Sequence, residues 1–195
     1  KYDKEQILKE VGENIKYFVP KNISKWKKIN LSTKDGEFSP TFLVGFPRSG
    51  TTLLDSILRG HPLIKILEEK PMIEKMNFDF HDSLQAKQDN LRNISNMQIK
   101  KLRGIYFNIA KKYLLIDEKN SKTIIDKLPL NIKEVGFIHR IFPESKFIFV
   151  LRHPCDSVLS CFMSRFTMNN AMINFYNLSD TTDFYNKIML LWKQY

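Results

Sequence analysis

Residues 41 to 52, which read Thr-Phe-Leu-Val-Gly-Phe-Pro-Arg-Ser-Gly-Thr-Thr, have the composition of a phosphate-binding loop. Gly45 and Gly50 stand five positions apart between an apolar segment and a helical pattern. This is the frame of a P-loop, whose backbone N–H groups and helix N-terminus hold an anion. Thr51 stands where nucleoside-triphosphate P-loops carry a lysine, and the only cation of the loop is Arg48. The loop therefore suits a ligand without a γ-phosphate.

Arg152 and Ser160 are candidates for a second anion site. Arg152 directly follows an apolar segment, and Ser160 comes eight positions later on a predicted helix. An edge arginine and a surface serine would give the same pattern by themselves. Next to a phosphate loop, however, the pair supplies the second set of donors that a bisphosphorylated nucleotide requires.

Charged side chains also follow two further apolar segments. Glu68 and Glu69 follow one of them, and Lys127 follows another. Taken alone, each is typical of a solvated surface. Because ligands of parallel sheets bind beyond the carboxyl ends of the strands, we expect one crevice to collect the residues that follow the four strands, which are Arg48, Glu69, Lys127 and Arg152.

The alternation of apolar segments and helical patterns predicts an α/β fold with three layers and a mainly parallel sheet. Strands are predicted over residues 42–45, 63–67, 123–126 and 146–151. Helices are predicted over residues 1–19, 51–60, 71–80, 102–113 and 132–142, from 156 onward and over 184–192. Residues 1–38 are interpreted as a helical lead-in or linker, and residues 39–195 as one domain that is truncated at its C-terminal end.

The apolar positions of two helices predict which side faces inward. In the helix after the phosphate loop these are Leu53, Leu54, Ile57 and Leu58. In the helix after Arg152 they are Val158, Leu159 and Phe162. Residues 169–181 are polar and are predicted to form a loop.

The composition predicts a globular protein without a membrane span. Hydrophobic residues make up 43% of the 195 residues, but the unbroken apolar runs are only a few residues long. The charged N-terminus is unlike a signal peptide, and the lack of an initiator Met suggests a fragment. Cys155 and Cys161 fit neither a disulfide framework nor a zinc site, so no metal and a reducing, cytoplasmic location are expected.

The net charge of +10 predicts attraction to anionic ligands in general. The lysines are scattered among asparagines and isoleucines without a run of five or more. The compositional bias of an AT-rich genome explains them comparably well. Since no nucleic-acid module is legible either, nucleic acid is not predicted as a partner.

The motifs resemble those of sulfotransferases. Residues 47–54 with Gly60-His61-Pro62 resemble the family's 5′-phosphosulfate loop, and residues 152–160 resemble its 3′-phosphate motif. Further blocks at residues 126–131, 138–139, 142–146 and 160–162 are similar to the tetratricopeptide-repeat-linked bacterial sulfotransferases, which are relatives of the tyrosylprotein sulfotransferases. The likeness extends over residues 40–195.

The resemblance implies a P-loop-like sulfotransferase fold and the donor 3′-phosphoadenosine 5′-phosphosulfate, with metal-independent transfer of a sulfuryl group to a hydroxyl or amine. It implies that the donor is bound by Arg48, Ser49, Gly50, Thr51, Thr52, Arg152 and Ser160. Arg48 would stabilise the sulfuryl oxygens, and Lys127 the charge on the departing phosphate. Glu69 matches the family's catalytic base, the second of a Glu pair, although the choice between Glu68 and Glu69 stays open.

Three departures from the family pattern bear on specificity. Pro71 replaces an arginine two residues beyond the base, Ser164 stands where another basic residue is expected with Arg165 beside it, and the chain stops soon after Trp192. The acceptor, whether peptide, glycan, lipid or small molecule, stays open, as do the oligomeric state and the activity of this fragment alone. The alternative functions are a P-loop nucleotide kinase or hydrolase and a non-catalytic, anion-dependent binding module.

Overall fold

The computed structural model describes residues 2–29, 39–84, 89–114 and 123–195. The strands are β1 Thr41–Gly45, β2 Ile64–Glu68, β3 Thr123–Lys127 and β4 Lys146–Val150. The helices are α1 Lys4–Tyr17, α2 Pro20–Ile23, α3 Thr51–Leu58, α4 Met72–Leu84, α5 Asp89–Asn93, α6 Asn96–Tyr113, α7 Val135–Ile141, α8 Pro154–Met163 and α9 Leu178–Gln194. Short 3₁₀ segments at Pro129–Glu134 and Met172–Tyr176 precede α7 and α9. In the described parts of the chain, no helix has both the length and the apolar character needed to cross a membrane.

The four strands form one parallel sheet in the order β2-β3-β1-β4. The predicted α/β fold with a parallel sheet is therefore confirmed. From β1 the chain continues to β2 and β3, which lie to one side of β1 in the sheet, and then crosses to β4 on the other side of β1. The carboxyl end of β1 is thus the point where the strand order reverses, which is where ligands bind in sheets of this kind.

The two faces of the sheet pack against different clusters because side chains alternate along each strand. Phe42 and Val44 belong to the main core, which also includes Ile7, Val11 and Phe18 from the N-terminal segment. Leu43, Ile66 and Ile125 form a smaller cluster on the other face, with Leu54 and Leu58 of α3 packed against it. Lys127 shares this second face with Ile125, whereas Asp126 points to the first.

The prediction for the inward face of α3 is wrong in part. Leu54 and Leu58 pack on the sheet, but Leu53 and Ile57 are 68% and 63% exposed. The side of α3 next to the sheet instead buries Thr51 and Asp55. Apolar spacing could not reveal this, because Asp55 is buried through ion pairs rather than through apolar contact.

The prediction for α8 is likewise wrong in part. Val158 is buried, but Leu159 and Phe162 are exposed, and Cys161 takes the inward position. The loop predicted over residues 169–181 is likewise wrong in part, since only residues 169–171 and 177 lie outside helical structure. Met172–Tyr176 forms a 3₁₀ turn, and α9 begins at Leu178 with the side chain of Asn177 as its N-cap. A polar N-cap residue is favourable at a helix start, so polarity alone does not indicate a loop.

Candidate functional site

The loop after β1 depends on its two glycines. A Cβ at Gly45 would lie 2.7 Å from Ser49 Oγ and 2.8 Å from the carbonyl oxygen of Val150 on β4. Gly50 has φ +103°, a left-handed backbone conformation that is unfavourable for residues with a Cβ atom. The loop is closed by a hydrogen bond from the Ser49 amide to the Phe46 carbonyl at 3.2 Å. The glycines therefore let the loop turn tightly against β4 and enter α3.

The N-terminus of α3 is suited to an anion. Its N-cap is Gly50, and no side chain from the described part of the chain caps the helix. The first N–H groups of a helix lack intrahelical partners and carry partial positive charge. Ser49 is buried, and its hydroxyl has no hydrogen-bond partner within the described residues. An anion at this position would satisfy these donors, so the residues present fit the phosphate that the sequence predicts.

Arg48 connects the loop to α8. Its Nε donates a hydrogen bond to Ser160 Oγ at 3.0 Å, and Arg152 donates through a terminal guanidinium nitrogen to the Arg48 carbonyl at 3.2 Å. Arg48 is exposed and has φ +65°, which costs roughly 1–3 kcal/mol for a residue with a side chain. The structure therefore brings together the two predicted anion motifs, which are more than a hundred residues apart in the sequence.

The N-terminus of α8 resembles that of α3. No side chain caps it, Pro154 occupies its first turn, and the buried Ser157 hydroxyl lacks a partner among the described residues. Arg152 lies next to this turn and makes an ion pair with Asp156 at 3.5 Å. The donors of two helix starts and two arginines thus lie at the carboxyl end of the sheet, after β1 and β4. Ser157 was not predicted, because nothing in its sequence context separates it from an ordinary helical serine.

Lys127, at the end of β3, is enclosed by carboxylates. Its Nζ lies 2.8 Å from Glu68 Oε1 and 3.1 Å from Glu69 Oε1, and its side chain is fully buried. The alternative of a surface lysine is therefore wrong. Burial by itself would lower the pKa of Lys127, but the hydrogen bonds to Glu68 and Glu69 outweigh it and raise the pKa above the usual value.

Glu68 and Glu69 differ in their surroundings. Glu68 also accepts a hydrogen bond from Arg59 at 3.2 Å, and its hydrogen bond with Lys127 is the main cause that lowers its pKa. The Glu69 backbone has φ +50°, and its amide donates to the Lys127 carbonyl at 2.7 Å. This left-handed turn brings the Glu69 carboxylate back to Lys127 while its side chain stays 57% exposed. Glu69 is therefore the more accessible of the two carboxylates.

Asp55 and Arg59, one turn apart on α3, complete the charged cluster. Both the Nε and a terminal nitrogen of Arg59 donate to the Asp55 carboxylate. Asp55 Oδ2 lies 3.8 Å from Lys127 Nζ. Sequence reasoning missed both residues, although acid and base four positions apart on a predicted helix indicate an ion pair. Only the structure shows that this pair lies next to the ammonium group of Lys127.

Helix α3 links the two groups of side chains. It begins at the phosphate loop with Thr51 and reaches the charged cluster at Asp55. Four residues of helix span about 6 Å along its axis. Arg48, Glu69 and Arg152 lie beyond the carboxyl ends of their strands, and Lys127 is the last residue of β3. In this region Glu69 contacts Lys127, and Arg48 contacts Arg152.

Comparisons with known proteins add to this geometry. Residues 40–195 match the model of a family described as the sulfotransferase family. The chain is 27% identical over 169 residues to an uncharacterized protein of Aquifex aeolicus (strain VF5), covering 85% of this chain and 22% of that protein. It is 28% identical over 138 residues to the protein-tyrosine sulfotransferase of Drosophila melanogaster, covering 69% and 27% of the two chains.

A human relative has a similar degree of likeness. The chain is 25% identical over 140 residues to protein-tyrosine sulfotransferase 1 of Homo sapiens, covering 69% of this chain and 37% of that protein. In all three comparisons the chain spans well under half of the relative's length, between 22% and 37%.

Proposed function

Since this chain belongs to the sulfotransferase family, we propose that it transfers a sulfuryl group from 3′-phosphoadenosine 5′-phosphosulfate to a hydroxyl or amine of an acceptor. The predicted resemblance to sulfotransferases is confirmed, whereas the link to tetratricopeptide repeats stays a prediction. The observation that carries the proposal is the contact between Arg48 and Ser160, since it sets two anion motifs side by side. A donor with phosphate on both the 3′ and the 5′ position needs such a pair of sites.

The donor would be held at two points. The backbone N–H groups of Ser49, Gly50, Thr51 and Thr52 would bind its 5′-phosphate, helped by the unpartnered Ser49 hydroxyl. Arg152 and Ser160 would bind its 3′-phosphate. Both already lie within hydrogen-bond distance of Arg48. The 3′-phosphate would therefore replace hydrogen bonds that these side chains make to Arg48.

Glu69 is proposed as the base because it combines exposure with a fixed position. Its carboxylate would accept the acceptor's proton while the acceptor oxygen or nitrogen forms a bond to sulfur. The bond between sulfur and the bridging oxygen of the 5′-phosphate breaks in the same step, and adenosine 3′,5′-bisphosphate leaves. Arg48 would stabilise the sulfuryl oxygens and the bridging oxygen as charge develops on them.

Lys127 is assigned by the resemblance to the departing phosphate. In the structure its ammonium group is enclosed and bonded to both glutamates. Its third N–H is not used by these two bonds, and a further donor becomes available if the bond to the more exposed Glu69 weakens during the reaction. Proton uptake by Glu69 removes a negative charge from Lys127, which frees part of its positive charge for the leaving group.

The chemistry needs no metal on physical grounds. Transfer of a sulfuryl group resembles phosphoryl transfer in relying on position and charge stabilisation. The transferred group carries less charge than a phosphoryl group, so fixed cations and N–H dipoles suffice. The proposal therefore assigns the work of a metal ion to Arg48, Lys127 and the start of α3.

The test is donor binding and transfer with the full-length natural protein. Calorimetry should detect binding of adenosine 3′,5′-bisphosphate, and labelled sulfate should move from the donor to at least one acceptor in a panel of tyrosine peptides, sugars, lipids and phenols. Failure of both binding and transfer would overturn the proposal. Binding of ATP that depends on Mg²⁺ would instead support a nucleotide kinase or hydrolase. Bisphosphate binding without transfer, unaffected by Glu69→Gln, would support a non-catalytic binding module.

A further inference from the structure

We propose that Asp55 and Arg59 are positioning residues that hold Lys127 and Glu68 in place, so that Glu69 is the carboxylate left to take the acceptor's proton. This inference rests on the proposed function, because it names residues that serve the same site. Neither residue belongs to the motifs that indicated that function.

Burial gives Asp55 its role toward Lys127. The Asp55 side chain is only 3% exposed and that of Lys127 is fully buried, so water does not screen their attraction across 3.8 Å. The two residues come from α3 and β3, on facing sides of the smaller apolar cluster. Asp55 thereby fixes the ammonium group from the inner side, opposite the more exposed Glu68 and Glu69.

Arg59 holds two of the three carboxylates. It makes two hydrogen bonds to Asp55 and one to Glu68. A planar guanidinium binds a carboxylate through two parallel N–H groups, which fixes direction as well as distance. Within the described residues, Arg59 makes no bond to Glu69. The cation that contacts the Glu69 carboxylate there is Lys127. Arg59 thus anchors Asp55 and Glu68, whereas Glu69 is held through Lys127.

The charges of the cluster favour the proposed direction of proton transfer. Three carboxylates, those of Asp55, Glu68 and Glu69, surround the two cations Lys127 and Arg59. The cluster holds one net negative charge, and a proton on Glu69 neutralises it. Asp55 supplies that excess charge at a buried point where it cannot be neutralised by solvent ions. Without Asp55, the cluster would be neutral before the reaction and positive after it.

The experiment compares Asp55→Asn and Arg59→Gln with the wild-type full-length protein. Asn keeps the size of Asp but lacks its charge. The Arg59 side chain is 41% exposed, so Arg59→Gln is a second variant that opens no cavity in the core if Asp55→Asn destabilises the fold. Asp180→Asn is the matched control, because it removes a carboxylate that pairs with Lys4 between α1 and α9, away from this cluster. Thermal unfolding establishes that each variant is folded.

Two readouts are measured on each variant. The first is the rate at which acetic anhydride labels Lys127, followed by mass spectrometry, which needs no activity. We expect it to rise about tenfold in Asp55→Asn and Arg59→Gln and to stay unchanged in Asp180→Asn. The second is transfer kinetics, in which kcat should fall by about 10- to 100-fold with the donor KM within about twofold. The double variant should lose little more than Asp55→Asn alone, since the two residues act as a unit.

The outcomes separate this inference from the proposed function. Unchanged labelling of Lys127 in both variants overturns the inference, whatever the activity. Faster labelling with an unchanged kcat also overturns it, because the position of Lys127 would then not matter to the reaction. A fall in bisphosphate affinity equal to the fall in kcat points to a collapsed loop and overturns it as well. If wild-type protein shows no transfer while labelling rises as expected, the positioning stands and the proposed function fails.

Discussion

Arg48 and Ser160, 112 positions apart in the sequence, are joined by a hydrogen bond of 3.0 Å from Nε to the hydroxyl oxygen. The bond connects the loop after β1 with the middle of α8. It is reinforced by Arg152, which donates to the carbonyl of Arg48. Through these bonds, a ligand that displaces Arg48 changes the environment of both Ser160 and Arg152.

Substitution of Ser160 and Arg152 should weaken nucleotide binding in a graded way. We expect Ser160→Ala to raise the Kd for adenosine 3′,5′-bisphosphate about 10-fold and Arg152→Ala about 100-fold, because hydrogen bonds to charged groups contribute about 1.5–3 kcal/mol. Calorimetry measures both. Ser56→Ala, which removes an exposed hydroxyl that bonds within α3, is the control and should leave Kd unchanged. Equal affinities for all variants would place the 3′-phosphate elsewhere.

The two glutamates should differ in their effect on turnover. Glu69→Gln should lower kcat by about 10²–10⁴-fold, the usual contribution of a general base, with unchanged bisphosphate affinity. Glu68→Gln should lower kcat by a smaller factor, since this residue is held by Arg59 and Lys127. Initial rates at saturating donor give the comparison. If the larger loss follows Glu68→Gln, then Glu68 is the base and the assignment is reversed.

Lys127→Met should impair both catalysis and stability. Loss of a preorganised charge typically costs about 10²–10³ in rate. Removing one partner of a buried ion pair leaves carboxylates uncompensated, so the free energy of unfolding should fall by about 3 kcal/mol in urea titrations. Lys4→Met breaks the exposed pair with Asp180 and should change the stability far less, because solvent screens an exposed pair. A fully stable Lys127→Met protein would contradict the enclosed ion pair.

Asp126 should make stability depend on pH. Burial raises the pKa of Asp126 to about 7, and the hydrogen bond from Tyr106 opposes this only in part. Between about pH 4 and pH 7 the folded protein keeps a proton that the unfolded chain has released, so stability falls as pH rises. Relative to Asp126→Asn, the wild type should lose about 2–3 kcal/mol between pH 5 and pH 8. Urea titrations at several pH values test this, with Asp180→Asn as the reference. If the free energies of unfolding of wild type and Asp126→Asn changed with pH in parallel, the prediction would be contradicted.

Gly136→Ala should loosen the N-terminal segment from the core. An added Cβ would lie 2.4 Å from the ring of Phe18, which must then move. Overpacking of this kind costs about 1–3 kcal/mol. Gly104→Ala in α6 is the control: its Cβ would meet nothing within 4 Å, so the helix should gain about 0.5–1 kcal/mol. Chemical denaturation compares the two, and equal stabilities would contradict the close packing of Phe18.

Much of the fold follows from local features of the sequence. The four strands and the helices between them agree with the predicted pattern, because alternating apolar segments and helix periodicity are properties of neighbouring residues. The loop after β1 is equally local, since two glycines and a following helix create it. The inward faces of α3 and α8 were predicted less well, because burial there depends on partners that are distant in sequence.

The sequence by itself determined the class of fold, the glycine-bounded loop within residues 41–52 and the identity of the charged residues after each strand. Only the tertiary structure decided that Lys127 is buried, that Asp55 and Arg59 join it, and that Arg48 contacts Ser160. The physical reason is that spacing along the chain determines which face of a helix or strand a side chain occupies. The strength of an ion pair depends instead on the distance between the charged groups and on the exclusion of water, which only the folded structure determines. The loop that first indicated an anion site is thus connected to its charged partners through α3, a relationship that emerges only on folding.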